Sequence, residues 1–176
     1  PKSWRLIAVG LLFTLAGCGS PTATDQHGPP ESLRFVSGSG QTGVVGEAVT
    51  VAPTVRISDA AGRGIPGIPI TFQVVAGAGS VSGDTVTTDG NGIATVGSWT
   101  LGPTPGQQSI RAQAVDLPLL TTLSIAAVAG PPTSIQVVAG GSGLTAVVGE
   151  QVLTPPAVRV RDKFGNPIPG GRVTWS

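Results

Sequence analysis

The composition is most informative in what it lacks. The sequence has no tyrosine, no methionine, one histidine and one cysteine, and only 11% of its residues are charged. Catalytic Ser/His/Asp and Cys/His arrangements need a histidine beside a nucleophile, and zinc sites need several histidine or cysteine ligands. The only candidates, Cys18 and His27, precede the regularly patterned part of the chain. We therefore expect no catalytic residues, no metal site and no cofactor.

The scarcity of charge also limits the partners. The formal net charge is +1, and the basic residues form no cluster of the kind that binds nucleic acid. The carboxylates are equally scattered, so we interpret them as turn or surface residues and not as a pair for glycoside cleavage. They are Glu47, Asp59, Asp84, Asp89 and Asp116.

Glycine and proline are abundant, with 27 and 16 copies, while 40% of the residues are hydrophobic. A helical protein would not carry so many helix breakers. Many short strands separated by Gly/Pro turns agree with both numbers. The composition therefore predicts an all-β protein.

The first residues have the parts of a secretory signal. Lys2 and Arg5 precede a short apolar run that is too short to span a bilayer, and small residues follow it. Residues 1–17 are therefore predicted to be a signal peptide. Its end, Leu15-Ala16-Gly17-Cys18, resembles the lipobox of bacterial lipoproteins, which implies cleavage before Cys18 and a lipid on its sulfur. The alternative is a secreted protein with an unpaired thiol.

That resemblance has a consequence for localisation. Residue 19 is glycine and not the aspartate that retains enteric lipoproteins in the inner membrane. The resemblance thus implies the bacterial cell envelope, at the outer membrane or cell surface. Residues 18–31 have no apolar periodicity and are predicted to form a flexible tether, with His27 as an exposed tether residue.

From residue 32 the pattern is that of β-structure. Apolar and polar residues alternate in about seven short runs over residues 32–129, which places one face of each strand on a core. Seven strands at this spacing predict an immunoglobulin-like β-sandwich. The runs centre on Leu33–Phe35, Val55–Ile57, Ile70–Val74, Thr85–Thr87, Ala94–Val96, Ile110–Ala114 and Leu123–Ala127.

Glycine-rich segments within this region are interpreted as turns. Asp89-Gly90-Asn91-Gly92 predicts a hairpin turn, because Gly and Asn accept positive φ. It contains part of a calcium-loop pattern but lacks the downstream acidic ligand. The segments 38–40 and 140–143 are not followed by a helix that would hold a phosphate.

One strand breaks the alternation. Ala94 and Val96 share a face, whereas strict alternation places Trp99 and Leu101 on the opposite face. A bulge near residues 97–98 would bring all four to the core. The alternative is an exposed aromatic residue used for contact.

The folded unit is repeated. Residues 44–72 and 147–175 are identical at 14 of 29 positions, so a domain of about 100 residues is used in tandem. Residues 130–133 form a short linker, and residues 134–176 form a partial second domain. We expect this part to supply only the first strands of a second sandwich, too few to bury a sufficient core.

Several motifs suggest a family. Ile65-Pro66-Gly67, Thr71-Phe72, the segment 88–94 and Trp99-Thr100-Leu101-Gly102 resemble the bacterial immunoglobulin-like domains of the invasin and intimin type. The resemblance covers residues 32–129 and again 134–176. It implies an extracytoplasmic Ig-like sandwich, used in rows that hold other domains away from the cell. It does not extend to the receptor binding of those proteins.

The sequence therefore predicts a non-enzymatic cell-envelope lipoprotein, held to a membrane through Cys18, whose tandem Ig-like domains serve as a stalk or adhesion array. Its expected partners are the membrane and other cell-surface proteins or glycans. Two alternatives stay open. In the first, the domains are a glycan- or envelope-binding module. In the second, they are a spacer for a catalytic domain beyond residue 176.

Overall fold

The computed structural model describes residues 27–140, 143, 145–151 and 154–175. The predicted signal peptide, the predicted lipidation site Cys18 and the predicted tether up to residue 26 lie outside the described residues. Within the described residues all regular structure is β-strand, as the composition predicts. The same part of the chain contains no helix with the length and apolarity needed to cross a bilayer.

Ten strands build the first domain and two more follow it. The first five are β1 (Ser32–Ser37), β2 (Thr42–Val44), β3 (Thr54–Ser58), β4 (Pro69–Ala76) and β5 (Ser80–Ser82). The next five are β6 (Thr85–Thr87), β7 (Ile93–Thr95), β8 (Ser98–Thr100), β9 (Gly106–Ala114) and β10 (Leu120–Val128). The second domain contributes β11 (Ser134–Ala139) and β12 (Ala157–Arg161).

The first domain is a sandwich of two main sheets. One has the order β1-β3-β7 and the other β2-β10-β9-β4-β6, while β5 and β8 form a separate pair. All the described ladders are antiparallel except that of β2 with β10. The neighbours β1-β3-β7 and β10-β9-β4 reproduce the two sheets of an immunoglobulin fold, A-B-E and G-F-C. The predicted Ig-like sandwich is therefore confirmed.

The core lies between these sheets and is built from the alternating apolar positions. Phe72 from β4 and Trp99 from β8 are its largest members, with 1% and 0% of their surface exposed. Smaller residues from both sheets complete it, namely Leu33, Val55, Ile57, Ile70, Ala94, Ile110, Ala112, Leu123, Ile125 and Ala127. No cysteine links the sheets, so burial of these side chains holds them together.

Trp99 faces the core and not the solvent. Ala94, Val96, Trp99 and Leu101 are all at most 2% exposed, as a bulge near residues 97–98 predicts. The chain achieves this by interrupting the strand: β7 pairs with β3, and after the break β8 pairs with β5. The exposed-contact alternative for Trp99 is therefore wrong.

The turn at residues 89–92 forms as predicted, but not as a hairpin between paired strands. The Asp89 carboxylate accepts hydrogen bonds from the amides of Asn91 and Ile93, and the Gly92 amide donates to the Asp89 carbonyl at 2.9 Å. The flanking strands nevertheless pair elsewhere, since β6 joins β4 and β7 joins β3. The turn thus carries the chain from one sheet to the other.

The second domain repeats the register of the first. Ser134 and Ile135 of β11 lie opposite Arg161 and Val160 of β12, as the first two residues of β1 lie opposite the last two of β3. Both ladders shift register near the end of the first strand. Ile135 is 60% exposed, whereas its counterpart Leu33 is 9% exposed. The apolar face of this ladder is therefore not covered by the described residues.

Candidate functional site

The first buried charge among the described residues lies directly after β3. Asp59 is 4% exposed, and one of its oxygens accepts hydrogen bonds from the amides of Ala61 and Arg63 at 3.0 and 2.9 Å. The other oxygen accepts from the Gly28 amide at 2.9 Å and from Arg63 Nε at 2.8 Å. Arg63 also forms an ion pair with it. This carboxylate therefore ties the segment that precedes β1 to the turn after β3.

The same arrangement occurs at the equivalent position of the second domain. Asp162 is 2% exposed, and one oxygen accepts from the amides of Phe164 and Asn166, both at 2.9 Å. The other accepts from the Gly130 amide at 3.0 Å and from Asn166 Nδ2 at 2.9 Å. Gly130 belongs to the linker between the domains. Asp162 therefore fixes that linker to the second domain, as Asp59 fixes the segment before the first.

Both carboxylates are held in the charged form. The amide of Gly28 is the largest cause that lowers the pKa of Asp59, and Arg63 adds to it, so the pKa is about 2 instead of 3.8. Burial alone would raise the pKa of Asp162. Hydrogen bonds from the side chain of Asn166 and from the amides of Gly130, Asn166 and Phe164 outweigh burial and lower the pKa to about 2.

These two pKa values predict a loss of stability in acid. A carboxylate with a folded pKa below its unfolded value stabilises the fold fully above the unfolded value of 3.8, and this contribution is lost as the pH falls towards 2. We expect the midpoint of denaturant unfolding to fall across that window. Asp59→Asn should make the midpoint lower at neutral pH and less dependent on pH within the window. The control is Asp116→Asn, in an exposed loop, which should leave the pH profile unchanged. An unchanged profile for Asp59→Asn would contradict the assigned role of this carboxylate.

The two domains differ in what stands beside this aspartate. In the first domain Arg63 satisfies Asp59 and keeps 52% of its side chain in solvent. In the second domain Asn166 takes the equivalent place. Its Nδ2 also donates to the carbonyl of Pro103 in the first domain, at 2.7 Å. The side-chain amide of Asn166 therefore links the second domain to the first.

The acceptor carbonyl is itself held in place. Pro103 lies in the loop between β8 and β9, above the buried side chain of Gln108. Gln108 Oε1 accepts from the Gly102 amide at 2.7 Å, and its Nε2 donates to the carbonyls of Gly102 and Thr104 at 3.3 and 3.0 Å. A buried side chain with all these partners fixes the loop conformation. The loop thus presents the Pro103 carbonyl to the second domain in a defined direction.

An apolar contact lies beside this hydrogen bond. A Cβ added to Gly46 would overlap the ring of Phe164, so that ring rests directly on the Gly46 backbone. Gly46 has a φ of 72° and its amide donates to the carbonyls of Leu101 and Gly102, both at 3.2 Å. Lys163 Nζ lies 4.9 Å from the centroid of the Phe164 ring, a cation–π distance. We call the contacts of Phe164 with Gly46 and of Asn166 with Pro103 the junction.

A cleft of about 860 Å³ opens next to the junction. The first domain lines it with residues that include Thr104 and Val128, and the second with residues that include Val158, Arg159 and Ile168. Among the described residues of the lining, Arg159 is the single titratable one. The cleft thus contains no pairing of a nucleophile with a base, and its walls are mainly apolar.

The residues considered as sites in the sequence are dispersed. Among the described residues no three His, Cys, Asp or Glu side chains come together as metal ligands. Asp89 closes its turn, and Glu47, Asp84 and Asp116 are exposed. His27 lies at the start of the described chain and is half-buried, and Gly28 beside it is bonded to the domain although it falls within the predicted tether.

The role of Asp59 and Asp162 was not predicted. We interpreted Asp59 as a turn or surface residue, and it does close a turn, but its bond to Gly28 spans 31 positions. A sequence signal existed. Gly28-Pro29-Pro30 returns as Gly130-Pro131-Pro132. This pair shows that each repeat begins before the segments 44–72 and 147–175, in which the identity was counted.

No known protein-family profile matches the chain, and no curated protein matches it. Among solved structures, the Escherichia coli adhesin FdeC is similar with a TM-score of 0.54 and 21% identity, over 79% of this chain and 42% of that one. The D0-D1 domain of intimin has a TM-score of 0.44 and 21% identity, over 79% of this chain and 68% of that one. A C-terminal 282-residue fragment of intimin, solved with the intimin-binding domain of the translocated intimin receptor, has a TM-score of 0.44 and 19% identity, over 63% of this chain and 36% of that one. The chain thus spans less than half of the FdeC chain, and their similarity shows a shared fold.

Proposed function

We propose that the chain is part of a lipid-anchored protein of the bacterial cell surface, whose tandem Ig-like domains form a stalk or adhesion array. The fold supports this proposal because FdeC, which has a similar structure, is an adhesin. The predicted lipobox at Cys18 supplies the anchor. Two or more acyl chains hold a protein on a bilayer stably, since each buried methylene contributes roughly 0.8 kcal/mol.

The observation that carries the stalk role is the junction. Domains joined by a linker move independently unless a specific interface holds them. Here the linker amide of Gly130 is bonded to Asp162, and Asn166 and Phe164 contact the first domain. A chain built in this way holds consecutive domains in a defined orientation, which is what a spacer requires.

The aromatic residues of the first domain argue against a glycan-binding role. Sugar-binding sites commonly present an aromatic face to the ligand. Phe72 and Trp99 are buried in the core, and the described lining of the cleft beside the junction has neither tyrosine nor tryptophan. The structural role of the first domain is therefore the better-supported function, and the exposed Trp175 of the second domain lies outside that lining.

Cys18→Ser tests the anchor. We expect the wild-type protein to incorporate a palmitate analogue and to fractionate with membranes, and the variant to lose both properties, because the lipid is attached to the Cys18 sulfur. An antibody against residues 27–129 should label intact cells that express the wild type. Ser20→Ala serves as the matched control next to the predicted cleavage site. Incorporation of the palmitate analogue by the Cys18→Ser chain, or its absence from the wild type, would contradict the lipid anchor.

A further inference from the structure

The two copies of the repeat differ where the junction forms. Their turns after the buried aspartate read Ala60-Ala61-Gly62-Arg63 in the first copy and Lys163-Phe164-Gly165-Asn166 in the second. Only glycine is shared among these four positions. The backbone of the turns is nevertheless the same, since each aspartate accepts amide hydrogen bonds from the residues two and four positions later. The differences are therefore confined to the side chains of the turn.

Each second-copy substitution corresponds to a contact with the first domain. Phe164 replaces an alanine and rests on Gly46. Asn166 replaces an arginine and uses its Nδ2 twice, to Asp162 at 2.9 Å and to Pro103 at 2.7 Å. Lys163 replaces an alanine and lies over the Phe164 ring, and its Cε is 3.6 Å from the position of a Cβ added to Gly46.

The first copy lacks these groups and is adapted to solvent instead. Ala61 is too short to reach a neighbouring domain. Arg63 binds Asp59 through both Nε and Nη2, with its charge exposed. If a guanidinium took the place of the Asn166 side chain against Pro103, it would lose hydration and would gain no additional carboxylate partner there. The side chains of this turn therefore suit a domain that has no Ig-like domain packed in front of it.

The Gly46 part of the receiving surface is repeated in the second copy. In the first copy Gly46 lies in Val44-Val45-Gly46-Glu47, which returns as Val147-Val148-Gly149-Glu150. Gly149 has the same left-handed conformation, with a φ of 88°, and nothing approaches its added Cβ. Val148 beside it is fully exposed.

We propose that the four residues after the buried aspartate specify the order of the domains. The second copy carries a coupling turn, in which Phe164 and Asn166 dock on the Gly46 and Pro103 surface of the preceding copy. The first copy carries a terminal turn, in which Arg63 closes the aspartate site and cannot dock. The partner of the coupling turn is thus another copy of this domain, placed before it in the chain. This inference deepens the proposed stalk function and rests on it.

The test measures the orientation of the two domains. Spin labels are placed at Thr87→Cys and Gln136→Cys, both exposed, in the full chain with Cys18→Ser so that no other thiol is labelled. Pulsed electron resonance then gives the distribution of distances between the labels. We expect a narrow distribution for this parent chain. Phe164→Ala with Asn166→Arg, which gives the second copy the residues of the first, should broaden it on the order of twofold, because only the linker then restrains the domains.

Controls separate coupling from local damage. Trp175→Ala removes an exposed aromatic residue of the same domain and should leave the distribution narrow. Gly46→Ala should broaden it, whereas Gly149→Ala should not, although both substitutions place alanine at a positive φ. The arginine introduced by Asn166→Arg should bind Asp162 as Arg63 binds Asp59. The bond of the Gly130 amide to Asp162 should then persist, and this amide should stay protected from hydrogen exchange.

A distribution that is equally narrow in the arginine variant, or broad in a parent chain whose Gly130 amide is protected from exchange by Asp162, would overturn the ordering role. Either result leaves the anchor proposal untouched, because these chains carry no lipid. Conversely, a wild-type protein found without a lipid would overturn the anchor while a narrow parent distribution still supported the coupling.

Discussion

Replacing Trp99 with alanine is expected to destabilise the first domain by about 3–5 kcal/mol, the range measured for buried tryptophan and phenylalanine residues. Trp99 has no exposed surface and lies in the core between the two sheets. No disulfide compensates for its loss, and a typical domain has only about 5–15 kcal/mol of stability in total. Equilibrium urea unfolding followed by circular dichroism measures the effect. A shift below about 1 kcal/mol would show that Trp99 does not hold the core together.

Trp99→Phe refines this prediction. The indole Nε1 is buried, and no hydrogen-bond acceptor among the described residues contacts it. The smaller phenyl ring loses packing, but removal of the unsatisfied N–H offsets part of that loss in stability. We therefore expect a cost of only about 1–3 kcal/mol. Trp175→Ala is the matched control, and it should change the stability of the first domain by less than about 0.5 kcal/mol because Trp175 is exposed.

The second large effect is expected for Gly92→Ala, in the turn that leads from one sheet to the other. Gly92 has a φ of 73°, and an added Cβ would overlap the Ile57 carbonyl and lie 2.6 Å from the Ile65 amide nitrogen. Left-handed backbone costs other residues about 1–2 kcal/mol, and overpacking against rigid backbone typically costs about 1–3 more. We therefore expect roughly 2–5 kcal/mol of destabilisation, measured by urea unfolding.

Two other glycines separate the causes of that effect. Gly62 has a φ of 78° but open space around an added Cβ, so Gly62→Ala should show only the conformational cost of about 1–2 kcal/mol. Gly90, in the same turn as Gly92, has neither constraint, and Gly90→Ala should lie within about 0.5 kcal/mol of the wild type. Equal effects at the three positions would show that the close approach of Gly92 to the Ile57 and Ile65 backbone is unimportant.

Period-2 alternation was sufficient to predict seven strands, because each has one face on the core. They correspond to β1, β3, β4, β6, β7, β9 and β10. The three strands that it missed are each three residues long, a length at which alternation identifies a strand only in some cases, since β6 and β7 are equally short. β2 is the clearest case, since it is held by a parallel ladder to β10, which is far from it in the sequence. β8 was predicted as the continuation of β7, and the break between them changes the partner strand.

The junction was beyond prediction for a related reason. Sequence identity between the copies marks Val44–Glu47, which contains Gly46, whereas Phe164 and Asn166 lie at positions where the copies differ. Phe164 and Asn166 lie in an exposed turn, and nothing local distinguishes them from ordinary surface residues. Only the spatial proximity of Gly46 and Pro103 gives them a role.

The attachment of Gly28 to Asp59 has a mechanical consequence under the proposed anchoring through Cys18. A pull on the segment before β1 would first strain the bonds of Gly28 to Asp59 and of the Glu31 amide to the Ser58 carbonyl. Ser58 is the last residue of β3, the central strand of its sheet, and Asp59 follows it directly. Tension would therefore reach the central strand of this sheet and not its edge strand β1 alone. Gly130 and Asp162 repeat this attachment, so each domain receives the load through its own carboxylate.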